Sequence, residues 1–386
     1  MTKAPGNTDT GIPGEDEVIE IAGAGPSGLT AAIILAHAGR KVLVHELHKE
    51  VGYRFGRDLQ GLENWTTEQN VLEALTDLGI TTDFEKLACR SGILFDSKDR
   101  VYEINDKEPL FYLVERGPGQ HSLDTALLNQ ARDLGAEVRF NSRVKHLEGA
   151  GILATGPKAA DAIAVGYHFD TDMDNGFWAI CDNNLAPQGY AYLLVMNGRG
   201  TIKTCMFTNF KQEKVYVART VAAFERLVDL RMKNQKPHGG VGNFRIPKWA
   251  MSGKHPVVGE QAGFQDTLWG FGMRYAIRSG ALAANSLIEG TDYEELRRDQ
   301  IDVNMKIAIV NRGLYTLLGN PGYRTFMRML ANSKNIRASL RKQYQPNWFK
   351  LLFAPLALLY FKSRRKDKNC HHVNCTCVWC RCGGAT

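Results

Sequence analysis

The sequence predicts an α/β fold in which a strand-rich segment is inserted between pieces of a strand–helix–strand unit, followed by a helical extension. Three observations carry this. Residues 18–46, VIEIAGAGPSGLTAAIILAHAGRKVLVHE, read as strand, glycine turn, helix and strand. Residues 162–220 break into short β-type runs (AIAVGYHF, FWAIC, YAYLLVM, TIKTCMF, VYVART) divided by Gly, Asn and Asp turns. Beyond residue 290 helical periodicities take over.

The first stretch carries chemistry. Gly23, Gly25 and Gly28 form G-x-G-x-x-G between a buried strand and a helix, the context that makes the motif a dinucleotide fingerprint. The first glycine permits the tight turn and the second lets the backbone approach a pyrophosphate. The third lets helix and strand pack closely, and the helix N-terminus faces the anion. Glu46, at the tip of the second strand, is placed to accept the adenosine ribose hydroxyls. This segment alone allows NAD, NADP or FAD.

The bulk numbers set the class. A chain of 386 residues with 44% hydrophobic and 23% charged residues buries a sizeable core. A net charge of +7 without a basic, aromatic-interleaved stripe argues against nucleic acid as a partner. Cys89, Cys181 and Cys205 are scattered through the body, whereas the other five of eight cysteines crowd the end. With no apolar leader, a reducing cytoplasmic setting is expected, in which thiols stay free.

In chain order, residues 1–16 read as a disordered lead-in. Residues 17–160 and 240–290 read as the nucleotide-binding domain, with 51–100 partly on the substrate side, and 161–239 as the inserted sheet. The loop VGYRFGRDLQGLENW places Arg54 and Arg57 to meet phosphate or a substrate headgroup. Helices are predicted over 67–78 and 122–134, strands over 84–104 and 137–140, a helix over 221–233 and a glycine loop over 237–242. Residues 257–284, VVGEQAGFQDTLWGFGMRYAIRSGALAA, are a second glycine-rich entry into a helix. Its small residues predict close packing on another backbone, and its N-terminus offers free N–H groups to an anionic part of a cofactor.

Together, GAGPSG through Glu46 and GEQAGFQDTLWGFGMRYAIRSG resemble the FAD-dependent oxidoreductases of the geranylgeranyl reductase family, within the p-hydroxybenzoate hydroxylase superfamily. The segments SLDTALLNQARDLGAEVRFNSRV and PQGYAYLL resemble two further motifs of that family, and the likeness spans about residues 17–285. It implies a Rossmann-like FAD-binding domain with the inserted sheet as substrate domain. Carried over, Gly23, Gly25 and Gly28 cradle the pyrophosphate, Glu46 binds the ribose, and Val144 meets the adenine through its backbone. Gly259 and Glu260 serve the ribityl chain, with Glu260 replacing the family aspartate. Gly270, Gly272 and Met273 lie by the flavin pyrimidine. The arginine near the cofactor falls on Gln120, a lost charge. Tyr190 and Tyr192 flank the substrate, Tyr192 in place of tryptophan. Two more departures are Thr267 for a proline and Thr155-Gly156 for an Asp-Gly turn. The resemblance implies reduction of C=C bonds in an isoprenoid or other hydrophobic substrate, with NAD(P)H or a ferredoxin-type protein as electron donor. A monooxygenase (hydroxylase or epoxidase) on a hydrophobic or aromatic substrate is the alternative, and a flavin/metal electron-transfer protein a second one. His238 and His255 flank the second glycine-rich stretch, His168 follows a strand, and Tyr190 and Tyr192 lie on the expected cavity sheet, but none of these stands out as the catalytic acid.

The extension, residues 291–368, reads as helices interrupted at Gly319-Asn320-Pro321-Gly322. WFKLLFAPLALLYF, residues 348–361, is too short to span a bilayer. Its aromatic ends and the basic cluster Lys362, Arg364, Arg365, Lys366 and Lys368 suit a segment lying on the inner membrane face. In the tail, 369–386, Cys370, Cys375, Cys377, Cys380 and Cys382 include a C-x-x-C pair with metal-knuckle spacing. Zinc is the first expectation there and an iron–sulfur cluster the second.

Overall fold

The computed structural model describes residues 12–360, apart from residues 145 and 159. The basic cluster and the five tail cysteines lie outside the described residues.

The glycine motif opens a four-stranded parallel sheet in the order Glu137–Arg139, Lys41–His45, Val18–Ala22, Gly151–Leu153. Parallel neighbours need a crossover, and the helix Pro26–His37 provides the one between the two central strands. The second glycine-rich stretch joins the same unit, because Val257 bridges Leu153 in parallel. Its helix, Met273–Glu289, lies on Pro26–His37. Gly280 makes this possible: a Cβ there would sit 2.1 Å from the Ser27 carbonyl oxygen. The small residues of this helix thus do what their pattern predicts.

The second layer is a seven-stranded sheet in the order Lys233–Gly242, Ala162–Asp170, Arg199–Met206, Tyr190–Met196, Gly176–Cys181, Ser91–Asp96, Val101–Asn105. Every pairing is antiparallel except that of Gly176–Cys181 with Ser91–Asp96. This sheet therefore reaches beyond 161–239 on both sides. Two expectations are corrected here. Residues 237–242 are not a loop but half of the edge strand Lys233–Gly242, where Pro237 is tolerated because an edge strand has one unpaired side. VYVART is not a strand; it lies in the helix Glu213–Val228, whose buried Tyr216, Val217, Thr220, Ala223 and Phe224 follow a helical period that its β-branched residues mask.

A third sheet, Leu59–Glu63, Phe111–Glu115 and Lys86–Cys89, is antiparallel and connects the two layers. The helical extension closes one end. The helix Val303–Ala331 is broken at Gly319, which is non-helical, where the sequence predicts an interruption. Its Tyr315, Tyr323, Met327 and Leu330 and the Leu340 and Tyr344 of Ile336–Tyr344 share a core with Trp65, Phe111 and Leu113. The helix Trp348–Tyr360 packs on Ile309 and Val310 through Ala354, Ala357 and Leu358. Its Trp348, Phe349, Leu352 and Leu356 remain exposed. Among the described residues no helix is long and apolar enough to cross a membrane.

Candidate active site

A cavity of about 1220 Å³ runs from the tips of the parallel strands to the inner face of the seven-stranded sheet. At its first end are Gly23, Gly25, Glu46 and Val144, with Ser142 and Arg143 beside them. Gly23 has φ +111, and a Cβ on it would lie 2.3 Å from the Ala154 carbonyl oxygen, so only glycine fits this turn. Gly25 faces open space. Gly28 does not line the cavity: it packs against the Gly23 carbonyl, the helix–strand contact expected of the third glycine. The Glu46 carboxylate accepts the Ala24 N–H at 3.0 Å and the His48 N–H at 2.9 Å, which ties strand tip to glycine turn.

The second stretch forms the middle of the cavity with Glu260, Gly270, Gly272 and Met273. Gly259 sits behind them, over Ser27, and its N–H donates to Ser279 Oγ at 2.9 Å. Neither Pro26–His37 nor Met273–Glu289 has a side-chain cap on its first turn, and both N-termini open on this one cavity. Glu260 accepts Arg54 Nη2 at 2.7 Å, which brings the arginine of the aromatic loop to the wall. Thr155, standing where an aspartate is expected, is held by Gln261 Oε1, which accepts both its N–H at 2.6 Å and its hydroxyl at 2.8 Å.

Gln120 is a correction. It is exposed and lines a separate small pocket with Arg57, Glu85 and Glu115. A buried cation does line the large cavity four residues upstream, Arg116. It clasps Asp124 through Nε at 2.8 Å and Nη2 at 3.0 Å, while Nη1 donates to Gln60 Oε1 at 3.2 Å. A Gly-Pro-Gly turn begins directly after Arg116, and Asp124 follows it, so a count of four back from Asp124 lands on Gln120 and not on the arginine.

The far end is apolar, with Trp65, Leu94, Phe177, Leu194, Phe326 and Leu330 on the wall. Tyr190 and Tyr192 both line it, and the Tyr190 hydroxyl donates to the Trp269 carbonyl. Burial pushes both phenols well up, so they stay neutral hydroxyls. The loop between Asp266 and Gly272 is clamped from behind. Arg312, buried in the Val303–Ala331 helix, donates to the carbonyls of Thr267 (2.9 Å), Leu268 and Gln188, and its guanidinium lies over the Phe207 ring. Its only signal in the sequence is a cation in an apolar helix.

On the sheet face between the two ends lies a buried charged cluster unforeseen from sequence. Asp58 Oδ2 accepts Lys203 Nζ at 2.5 Å, and its Oδ1 accepts His168 Nε2 at 2.9 Å. Burial pushes the Asp58 carboxyl upward, but Lys203 and His168 more than reverse this and hold it well below the usual range. The His238 ring stacks on His168 at 4.1 Å and is pulled down to about 4, chiefly by burial and by Lys203. Asp58, His168 and His238 have the residue types of a metal site, but the Lys203 ammonium already fills the cation position.

The residues present fit FAD. The cavity exceeds the roughly 300–1,000 Å³ of ordinary small-ligand pockets. It joins two uncapped helix N-termini, and Gln265 Oε1 and His238 Nδ1 on its wall have no hydrogen-bond partner. The comparisons agree. The profile of the FAD binding domain family matches residues 15–155. The digeranylgeranylglycerophospholipid reductase of Haloferax volcanii is 23% identical over 316 residues, 68% of this chain and 74% of the reductase. A geranylgeranyl bacteriochlorophyll reductase-like protein of Thermoplasma acidophilum superposes with a TM-score of 0.67 at 18% identity, covering 89% of this chain and 98% of that one. The chain is an FAD-dependent oxidoreductase, similar over most of its length to reductases of geranylgeranyl lipids. This flavoprotein also shares its fold with a p-nitrophenol 4-monooxygenase of Pseudomonas putida, at 16% identity and a TM-score of 0.58, over 88% of this chain and 99% of that one.

Proposed function

We propose that this flavoprotein reduces C=C bonds in the isoprenoid chains of a lipid-like substrate. The observation that carries the reading is the continuity of the cavity, whose glycine-lined half runs into an apolar half without a wall between them. Gly23 and Gly25 hold the pyrophosphate, Glu46 the ribose and Val144 the adenine. Gly259 and Glu260 serve the ribityl chain, with Arg54 beside them, and Gly270, Gly272 and Met273 the flavin pyrimidine. Arg116 supplies the cation that the Gln120 assignment left missing. Bound FAD supplies hydride chemistry. The protein orients the chain between Tyr190, Tyr192 and the apolar wall, keeps water out, and presents the uncapped N-terminus of Met273–Glu289 to negative charge on the cofactor.

The exposed Trp348, Phe349, Leu352 and Leu356 support the same reading. They lie on a helix packed against Val303–Ala331, which itself contributes Phe326, Met327 and Leu330 to the cavity. This helix rests on a membrane surface, aided by the basic residues that follow it, and lets lipid chains enter from the bilayer. NAD(P)H or a ferredoxin-type protein reduces the flavin. The tail cysteines Cys370, Cys375, Cys377, Cys380 and Cys382 bind zinc, the Cys377-x-x-Cys380 spacing being the support; metal analysis of anaerobically purified protein tests this.

The decisive experiment mixes anaerobically reduced holoprotein with a geranylgeranyl-chain phospholipid. Reoxidation of the flavin with a saturated product, and no need for oxygen, is the expected result. Oxygen uptake coupled to a hydroxylated or epoxidised product replaces the reading with a monooxygenase. Reoxidation only by a protein partner replaces it with electron transfer.

A further inference from the structure

The Asp58–Lys203 cluster occupies an unusual place. Lys203 lies on Arg199–Met206, the third strand of the seven-stranded sheet, where the cavity changes character. Opposite it on one side is Tyr192, which leads to Leu194, Phe177 and the apolar wall. Opposite it on the other is Gly166, and opposite Gly166 is His238. There the cavity is lined by Ala162, Ala164, Gly240 and Gly242, paired across the two strands, a floor of small residues beside His238. Lys203 is therefore the charged side chain at the boundary where a flat cofactor half meets an apolar substrate half.

Its surroundings are those of a proton carrier. The lysine is 2% exposed, and desolvation lowers its affinity for a proton despite the Asp58 pairing. The Asp58 carboxylate is saturated: besides Lys203 and His168 it accepts Gln60 Nε2 at 3.0 Å and Thr201 Oγ1 at 3.3 Å. It stays ionised and fixes the ammonium. His238 Nε2 donates to the Arg54 carbonyl at 3.0 Å, near the cavity mouth. That assigns the unpartnered, buried Nδ1 as the ring's acceptor. The ligating atoms of Asp58, His168 and His238 lie within 4.8 Å of one another, a gap that one water spans. The other titratable groups facing Lys203 are Tyr192 and Cys205, both raised by burial, Cys205 to about 11, and neither competes as an acid.

We propose that Lys203 is the proton donor of the reduction, with Asp58 and His168 as positioning residues and His238 as the route by which the lysine is recharged. This rests on the reading that the substrate is an alkene. The alkene gains a hydride, drawn from the reduced cofactor, at one carbon. Its π pair takes a proton from Lys203 Nζ at the other. Two C–H bonds form; the C=C π bond, the Lys203 N–H bond and the bond that held the hydride on the reduced cofactor break, so the cofactor is oxidised by two electrons and the alkene reduced by two. Lys203 is left as a neutral amine beside ionised Asp58, and solvent returns the proton through His238.

The test uses dithionite-reduced holoprotein and a geranylgeranyl-chain phospholipid in single turnover. Lys203→Arg keeps the ion pair but not a releasable proton. It is expected to retain FAD and thermal stability yet slow flavin reoxidation by about 100-fold or more. In wild type the rate falls as pH rises through the lysine's lowered pKa. Asp58→Asn removes the charge that favours the ammonium, so its profile moves to lower pH. His238→Gln slows repeated turnover more than it slows the first turnover. Single-turnover rates for Lys203→Arg within about threefold of wild type overturn the proposal. If wild type itself fails to react with the lipid, the substrate reading has failed, and the relay is judged separately. The oxidised holoprotein's visible absorption is then titrated across the pH range below the ordinary lysine value. A band shift present in wild type and absent from Lys203→Arg supports the relay; superimposable titrations overturn it.

Discussion

The two ends of the cavity are built in opposite ways. The glycine-turn end comes chiefly from one short stretch, Val18–Ala22 through Lys41–His45, whose strand, turn, helix and strand are consecutive, with Ser142, Arg143 and Val144 added to it. The sheet end draws on residues far apart in the chain: Asp58, His168, Lys203, His238 and, behind the wall, Arg312. A local device is set by glycine geometry and tolerates no added atom. A dispersed device is set by buried hydrogen bonds and fails when a partner is removed.

This contrast makes the largest expected effect a loss at the dispersed end. Arg312→Leu leaves the Thr267, Leu268 and Gln188 carbonyls without their shared donor. At about 1–3 kcal/mol for each orphaned buried acceptor, partly relieved by water, a destabilisation of about 4 kcal/mol is expected in urea unfolding. An effect under about 1 kcal/mol would show that these carbonyls find other donors. Next is the local end. Gly23→Ala combines a positive φ with a Cβ 2.3 Å from a carbonyl oxygen, about 3 kcal/mol of strain. That corresponds to FAD binding roughly 100-fold weaker, read by fluorescence titration of apoprotein. The same substitution at Gly25, where a Cβ meets open space, is expected to cost far less stability and to act on FAD alone.

The same contrast explains what was legible in the sequence. The glycine turns, Glu46, and the helix that packs through Gly280 were readable because spacing along the chain is spacing in space. The strands flanking Tyr190 and Tyr192 were readable from alternation. Residues 237–242 were misread because proline and glycine signal a loop locally, while only pairing with Ala162–Asp170 makes them an edge strand. VYVART was misread because β-branched residues hide a helical period when only six residues are weighed. Arg116 was missed because a count along the chain from Asp124 lands on Gln120, while the contact is made in space. No periodicity announces Asp58, His168, Lys203 and His238, which meet only when the sheet forms.

A pH effect at the dispersed end ranks third. Burial pushes Asp266 up to about 6, although it accepts the Trp269 N–H at 2.6 Å and the Tyr344 hydroxyl at 3.1 Å. The native state thus holds a proton that the unfolded chain releases near pH 4. Stability from this group is present at low pH and is lost as pH rises from about 4 to about 6, by about 3 kcal/mol. Asp266→Asn keeps an acceptor for the Trp269 N–H, turns its Nδ2 donor to the Tyr344 hydroxyl oxygen, and does not titrate. Its Tm relative to wild type is expected to climb across that window and level off above it. A constant difference from pH 4 to pH 7 would mean that Asp266 titrates alike in both states.

The smallest effect separates two roles of one carboxylate. Glu46 bonds Ala24 N–H and His48 N–H, so it buckles the glycine turn to the strand tip whether or not a nucleotide is bound. If it also accepts the ribose hydroxyls, Glu46→Gln should weaken FAD binding by about tenfold, since a charge-assisted acceptor becomes a neutral one, about 1.4 kcal/mol. One amide oxygen can still accept from Ala24, so the apoprotein Tm should move little. The reverse pattern, a lower Tm with unchanged FAD affinity, would make Glu46 a purely structural buckle. The nucleotide would then be held by backbone alone, and the local end of the cavity would be a more extreme case of its own design than the sequence implies.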